Sequence, residues 1–237
     1  MQREARRAVF RRQWLHLLGL LVLLPGLAAM ARLESVQEGT LWGWGTLTWF
    51  WLAAGIAVAH QSYVWLCWRL ELHAKGLSRV LGERAFPLFA MGFALLGLSR
   101  VAVVVVLAVA NQQTLPGPAW VGQGLAVLAL GPALYLFYSV HRYFGFRRAF
   151  GADHFDPHYR SMPLVREGIF RYTSNGMYVY GFLILWVPGL WFGSAAAVAV
   201  ALFNHLYIWV HYFATEKPDM DHIYGDPGPA ERGVGQK

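Results

Sequence analysis

Six apolar runs, set apart by basic and turn-forming residues, follow one another along the chain at 14–30, 41–67, 86–110, 120–140, 177–188 and 193–213. The run at 86–110 holds a single charged residue, Arg100, and the run at 120–140 holds none. Segments without a polar face are not surface helices of a water-soluble domain, and roughly 20 such residues cross a hydrocarbon core of about 30 Å. The fifth run is short for a crossing, so it begins nearer Thr173 or lies tilted. It joins the sixth in one apolar stretch too long for a single pass, interrupted by Pro188-Gly189 and Gly193-Ser194. Such breakers predict a tight helical hairpin. The expected fold is an all-α polytopic transmembrane bundle of about six spans. It forms one domain over residues 1–225, followed at 226–237 by a Gly- and Pro-rich flexible cytoplasmic tail.

Composition strengthens this reading. Hydrophobic residues make up 57% of the chain and charged residues 14%, against a soluble norm of roughly 25% charged. The formal charge of +7 calls for no nucleic acid, because basic residues beside spans set orientation and meet anionic lipid. Arg3, Arg6, Arg7, Arg11 and Arg12 precede the first run. Arg69, Lys75, Arg79 and Arg84 surround the second-to-third linker, and Arg142, Arg147, Arg148, Arg160, Arg166 and Arg171 lie in the fourth-to-fifth. In a six-span chain these all face one side, with Arg32 alone on the other. The positive-inside rule then puts both termini in the cytoplasm, and a bacterial inner (plasma) membrane is the expected location.

Tryptophans 42, 44, 49 and 51, with Trp186 and Trp191 at the hairpin tip, suit an interfacial belt. The first run also has the features of a signal peptide, with a basic start and Ala29-Met30-Ala31. Its removal leaves the other five spans in the same orientation. Cys67 is the only cysteine, which excludes an intrachain disulfide and a thiolate metal cage.

Candidate chemistry gathers late in the chain. The linker at 141–175 carries Asp153, His154, Asp156, His158, Arg160 and Glu167. Asp153, His154, Asp156 and His158 are ligand types, but without a Cys or an H-x-x-x-H helix they read better as a solvated face, and no metal is expected. An antiparallel hairpin of the last two runs brings Tyr172, Asn175 and Tyr178 near His211, Thr215 and Glu216. Asn175 suits the N-cap of the fifth run, whose exposed amides would favour an anionic group. Asn204, His211 and Thr215 recur at i, i+7 and i+11, a polar stripe expected to face the bundle or a cavity. His205 reads as an interhelical hydrogen-bonding residue, and His211 stays open between that role and a chemical one. Arg100 and His60 are further intramembrane polar groups. No carboxylate lies within the runs to pair Arg100, so it should face the bundle interior or a polar cavity.

The segment Gly168-Ile-Phe-Arg-Tyr-Thr-Ser-Asn-Gly-Met-Tyr-Val-Tyr-Gly181 resembles the signature of the phospholipid N-methyltransferases and their isoprenylcysteine carboxyl methyltransferase relatives. Glu216-Lys-Pro-Asp-Met-Asp-His-Ile-Tyr-Gly225 resembles that family's second block, one hairpin downstream. Asn175 followed by Met177 and Tyr178 is closer to the phospholipid branch. Gly176, Tyr180 and Lys217 stand where the family commonly has Pro, Gly and Glu.

The resemblance implies S-adenosyl-L-methionine bound at the cytoplasmic end of the hairpin, beside a lateral opening to the lipid bilayer. The residues so implied are Gly168, Arg171, Tyr172, Asn175, Tyr178, Gly181 and Glu216. Glycines would allow close backbone approach, a tyrosine would meet the sulfonium, and Glu216 would take the ammonium or ribose hydroxyls. His211 and Glu216 are the catalytic candidates for deprotonating an amine acceptor. The acceptor implied is a membrane lipid, the amino head group of phosphatidylethanolamine or a methylated derivative. Two other readings remain open: a steroid-reductase-like enzyme, which would need NADPH and has no dinucleotide fingerprint here, and a non-catalytic carrier or accessory protein.

Overall fold

A computed structural model describes residues 2–225, and the tail expected at 226–237 lies outside these residues. The regular structure of the described chain is helical apart from a two-stranded hairpin that pairs Thr40–Leu41 with Trp44–Gly45. Its main helices are α1 (Gln2–Val9), α2 (Gln13–Met30), α3 (Thr46–Ala74), α4 (Ala85–Ala110), α5 (Ala119–Ser139), α6 (Trp186–Phe192), α7 (Ala195–His211) and α8 (Lys217–Tyr224). The protein is thus an all-α helical bundle, as expected.

Among the described residues, five helical runs are long and apolar enough to cross a membrane: Arg7–Met30, Thr46–Ala74, Gly76–Ala110, Ala119–Phe144 and Ala195–Tyr224. The count of about six needs one correction. The fifth apolar run is not a regular long helix; Gly176–Phe192 is a 17-residue path built from an α turn at Gly176–Val179, a 3-10 stretch at Gly181–Leu185 and α6. The second run is also displaced. Trp42 and Gly43, both at positive φ, turn the small β-hairpin, so the helix begins only at Thr46.

The broken path still passes from one end of the bundle to the other, antiparallel to α7. Tyr178 meets Tyr212 with ring centroids 5.7 Å apart, and Trp186 Nε1 donates to His205 Nδ1 at 3.1 Å. A Cβ on Gly189 would lie 2.8 Å from the Val198 amide nitrogen, so only glycine permits this approach. The core between α3, α4 and α7 is built on small residues, including Ala53, Ala54, Ala57, Ala196, Ala197 and Ala201. In lipid such residues matter because helices associate by close packing and not by exclusion from water.

Different side chains tie together the two ends of the bundle. At one end Asn111 Nδ2 donates to the carbonyls of Ser35 and Glu38, both at 2.8 Å. Its Oδ1 accepts from Ser194 Oγ and the Ala196 amide, so one amide joins the first loop, the α4–α5 loop and the hairpin tip. At the opposite end Arg69 joins α3 to the carbonyls of Val9 and Arg11 and to Asp219 on α8. There, too, Lys75 Nζ donates to Phe155 O at 3.3 Å, and the Arg147 guanidinium lies 4.7 Å from the Phe86 ring centroid. The three basic segments therefore share one end. α2, the first span, is integral to this packing: Gln13 Nε2 donates to Ala214 O and Thr215 Oγ1, and His16 hydrogen-bonds Tyr207.

Candidate functional site

The linker after α5 folds over the basic end as short turns at Phe146–Ala149, Ala152–Phe155, Pro157–Ser161 and Gly168–Arg171. Beneath it lies a cavity of about 1120 Å³, lined by α3, α4, α5, the broken Gly176–Phe192 path, α7 and the linker itself. Among its lining residues Phe137, Phe146, Leu164 and Tyr172 are exposed, and so are Arg166, Arg171 and Ser174, so its mouth combines an apolar side with a basic one.

Seven of the eight residues named from the sequence line this one cavity: Arg171, Tyr172, Asn175, Tyr178, Gly181, His211 and Glu216. The eighth, Gly168, does not. At φ +59 it turns the chain beside α5, where a Cβ would lie 2.6 Å from Ser139 Oγ, and the neighbouring Ile169 amide donates to that same hydroxyl at 3.1 Å. Its lack of a side chain serves helix–loop packing. Gly181 is similar in part, since it lines the cavity but a Cβ there would meet Leu136 at 2.7 Å. Gly176, at the usual Pro position, is buried against Ile169, Leu136 and Phe170.

Asn175 also needs correction. It precedes the Gly176–Val179 turn, but its side chain makes no capping hydrogen bond; its own amide donates to Thr173 Oγ1 at 3.1 Å. A turn of four residues has little aligned dipole, so the expectation of an anion held by helix-start amides falls with it.

The polar stripe on the last span is fully interior: Asn204, His211 and Thr215 are all buried. After His211 the helix takes a π turn at Tyr212–Glu216 before α8. Such a turn inserts an extra residue, changes which face the following side chains occupy, and recurs at functional sites. Here it ends at Glu216, whose Oε2 is buried without a hydrogen-bond partner. Both ring nitrogens of His211 are likewise buried and unpartnered. Aromatic rings surround these groups, with Trp68 centred 5.9 Å from His211 and Tyr178 5.7 Å from Tyr212. His205 takes the structural role read for it, accepting from Trp186 outside the cavity lining.

A polar junction that sequence reading left undeveloped closes the linker onto the bundle. Asp153 and His154, grouped by sequence with Asp156 and His158, separate from them. Asp156 caps the exposed Pro157–Ser161 turn by accepting from the His158 amide. His154 is buried, stacked on Trp68 at 4.3 Å, with Nδ1 3.0 Å from Asp153 Oδ1. Its Nε2 lies 3.5 Å from Asp219 Oδ2, an ion-pair distance too long for a good hydrogen bond. Tyr224 hydroxyl donates to Asp153 Oδ2 at 2.9 Å. Asp219 and Tyr224 both belong to the second sequence block, and their spacing from Glu216 is the one signal that could have marked them.

This junction has a defined pH dependence. Burial alone would lower the His154 pKa, but the Asp153 and Asp219 carboxylates outweigh it and hold it above its ordinary 6.5. Burial would raise Asp153, but hydrogen bonds from His154 and Tyr224 pull it below its ordinary 3.8. The His154 contribution is therefore complete below 6.5 and is lost as pH rises through its raised folded value. The Asp153 contribution is complete above 3.8 and is lost as pH falls through its lowered value. Melting of the detergent-solubilised protein from about pH 2 to about pH 9 should show greatest stability between 3.8 and 6.5. His154→Gln should remove the decline on the alkaline side; an unchanged alkaline decline in that variant would disprove the assignment.

The fold and this site define a polytopic helical membrane protein with one large cavity at its basic end, built where two separated sequence blocks meet. Residues 120–227 match the family model described as phospholipid methyltransferase, so the resemblance carried by those blocks holds over α5, the linker, the hairpin and α8. The spans before α5 lie outside that match. No curated protein and no solved structure matches the chain.

Proposed function

We propose that this protein transfers a methyl group from S-adenosyl-L-methionine to the amino head group of a membrane phospholipid, phosphatidylethanolamine or a methylated derivative. One observation carries the reading: the two family-like blocks meet in a single cavity that holds a buried carboxylate oxygen and an imidazole with no protein partners. Those orphaned groups fit the cofactor. Glu216 would hold its ammonium or ribose hydroxyls, and Tyr178 and Tyr212 offer π faces to a cation. Bound there, S-adenosyl-L-methionine supplies an electrophilic methyl on a sulfonium.

The chain's part is placement and proton removal. A protonated amine has no lone pair with which to attack, and a neutral His211 has a ring nitrogen free to accept that proton. Trp68 and the buried linker keep bulk water from the imidazole. The apolar side of the mouth, at Phe137, Phe146 and Leu164, suits an acceptor that arrives from the bilayer with its chains left in lipid.

The test is ligand binding by purified protein in detergent, followed by radiolabelled transfer to phosphatidylethanolamine. Binding of S-adenosyl-L-methionine with transfer is expected. Binding of NADPH in its place, or of neither compound, would overturn the reading in favour of a reductase or a non-catalytic carrier.

The orientation belongs to the same proposal, with both termini and the cavity mouth in the cytoplasm of a bacterial cell. The shared end of the three basic segments supports it. In a Cys67→Ala background, Asp156→Cys should label only from the cytoplasm and Gln112→Cys only from outside. Both positions are exposed. The reverse pattern would refute the topology.

A further inference from the structure

Below His211, two turns back along α7 and deeper in the bundle, the same cavity has a second polar centre, whose Arg100 and His60 lie outside the residues matched by the family. Arg100 on α4 and His60 on α3 both line it, at 5% and 6% exposure. Arg100 Nε donates to Asn204 Oδ1 at 2.9 Å, and its Nη2 donates to the same oxygen. Asn204 Nδ2 is committed to Val200 O at 2.7 Å, which fixes the direction of the amide. Arg100 Nη1 lies 3.3 Å from His60 Nδ1. Because a guanidinium only donates, Nδ1 must accept and the proton of a neutral His60 must sit on Nε2. That Nε2 is buried without a partner. A guanidinium has five N–H groups, of which these contacts use three. Two guanidinium N–H groups and His60 Nε2–H are thus free to donate, and the positive charge of Arg100 has no carboxylate partner among the described residues.

We propose that Arg100 and His60 form the phosphate subsite for the acceptor lipid. The ligand such a centre takes is an anion with oxygen acceptors, held by an arginine fork and one N–H. The spacing suits a phosphodiester that carries an amine. Asn204, which orients Arg100, stands seven residues from His211 on one helix, about 10 Å along its axis. An ethanolamine arm covers about half that separation, and hydrogen-bond contacts of about 3 Å to the guanidinium at one end and to His211 at the other cover the rest. The order is that of a lipid in the cytoplasmic leaflet, with the amine outermost and the phosphate one step deeper. The inference rests on the proposed function for its choice of lipid, whereas the anion subsite rests on the donors alone.

The experiment measures binding of phosphatidylethanolamine and of a phosphate-free long-chain primary amine to the detergent-solubilised protein by native mass spectrometry, with S-adenosyl-L-methionine binding measured separately by calorimetry. Arg100→Gln should weaken phosphatidylethanolamine binding about 10- to 100-fold, the scale for charge-assisted hydrogen bonds. It should leave the alkylamine and the cofactor unchanged, and Arg100→Lys should recover part of the loss. Glycerophosphoethanolamine, but not ethanolamine, should displace the lipid from wild type, a readout that needs no variant to fold. Unchanged lipid affinity in Arg100→Gln, equal loss for the alkylamine, or equal displacement by ethanolamine would each overturn the subsite. Failure of the wild type to bind S-adenosyl-L-methionine, with the Arg100 effect on lipid intact, would sink the methyl-transfer reading and leave the subsite standing.

Discussion

Glu216→Gln is expected to weaken S-adenosyl-L-methionine binding by about 1.5–3 kcal/mol, the range for hydrogen bonds to a charged group, which is roughly 10- to 150-fold in affinity. Glutamine keeps the shape and the hydrogen-bonding oxygen but removes the charge that an ammonium would meet. The side chain ends the π turn at Tyr212–Glu216, and its buried Oε2 has no protein partner to lose, so the fold should survive. Transfer should fall by more than binding, because a donor misplaced by about 1 Å can cost on the order of 100-fold in rate. Glu34→Gln is the control. Glu34 is exposed in the Glu34–Gln37 turn at the opposite end of the bundle, and its replacement should change neither quantity. Calorimetric titration beside a radiolabelled transfer assay checks both. Wild-type binding and transfer in Glu216→Gln would sink this role for Glu216 even if the protein proves to be a methyltransferase.

Arg69→Met should be the most damaging single change to stability, at about 3–5 kcal/mol, the cost of leaving one member of a buried ion pair behind. Arg69 is 1% exposed and binds Asp219 through Nε at 3.0 Å. Its remaining N–H groups go to the carbonyls of Val9, Arg11, Ala214 and Thr215. Two of those carbonyls belong to the π turn, which has weaker internal hydrogen bonding than an α-helix, so the guanidinium partly replaces what the turn gives up. Without it the nearest ion-pair partner left to the Asp219 carboxylate among the described residues is His154, at 3.5 Å. Asp219→Asn in the Arg69→Met background should recover stability relative to Arg69→Met alone, because it removes the stranded charge. Thermal unfolding in detergent measures all three. A melting temperature for Arg69→Met within a degree of wild type would show that the junction does not hold the linker and α8 to the bundle.

Damage at Arg69 should reach the candidate site as well as the fold. Asp219 sits between Arg69 and His154 of the linker that roofs the cavity, and Trp68, stacked on His154, also faces His211. The site is thus assembled from α3, the linker and the last span together, although the family-like blocks occupy only the latter two.

The sequence by itself determined that the chain is a membrane-spanning helical bundle and roughly where most of its long spans lie, because hydropathy is a local property and ~20 apolar residues in lipid must satisfy their own backbone. It also anticipated that seven of the eight named residues would come together at one cavity. Once Pro188, Gly189 and Gly193 force a hairpin, Tyr178 has to come back beside Tyr212, and the two blocks have to meet. The tertiary structure alone decided the partners of the buried charges. Arg100 finds Asn204 across 104 positions and Arg69 finds Asp219 across 150, and no spacing rule links residues so far apart. It also decided that Gly168 packs on Ser139 and not on the cavity, that Asn175 caps nothing, and that the fifth run is a broken path. Each of these depends on what a neighbouring element brings within about 3–4 Å, a distance set by packing and invisible in the order of the residues.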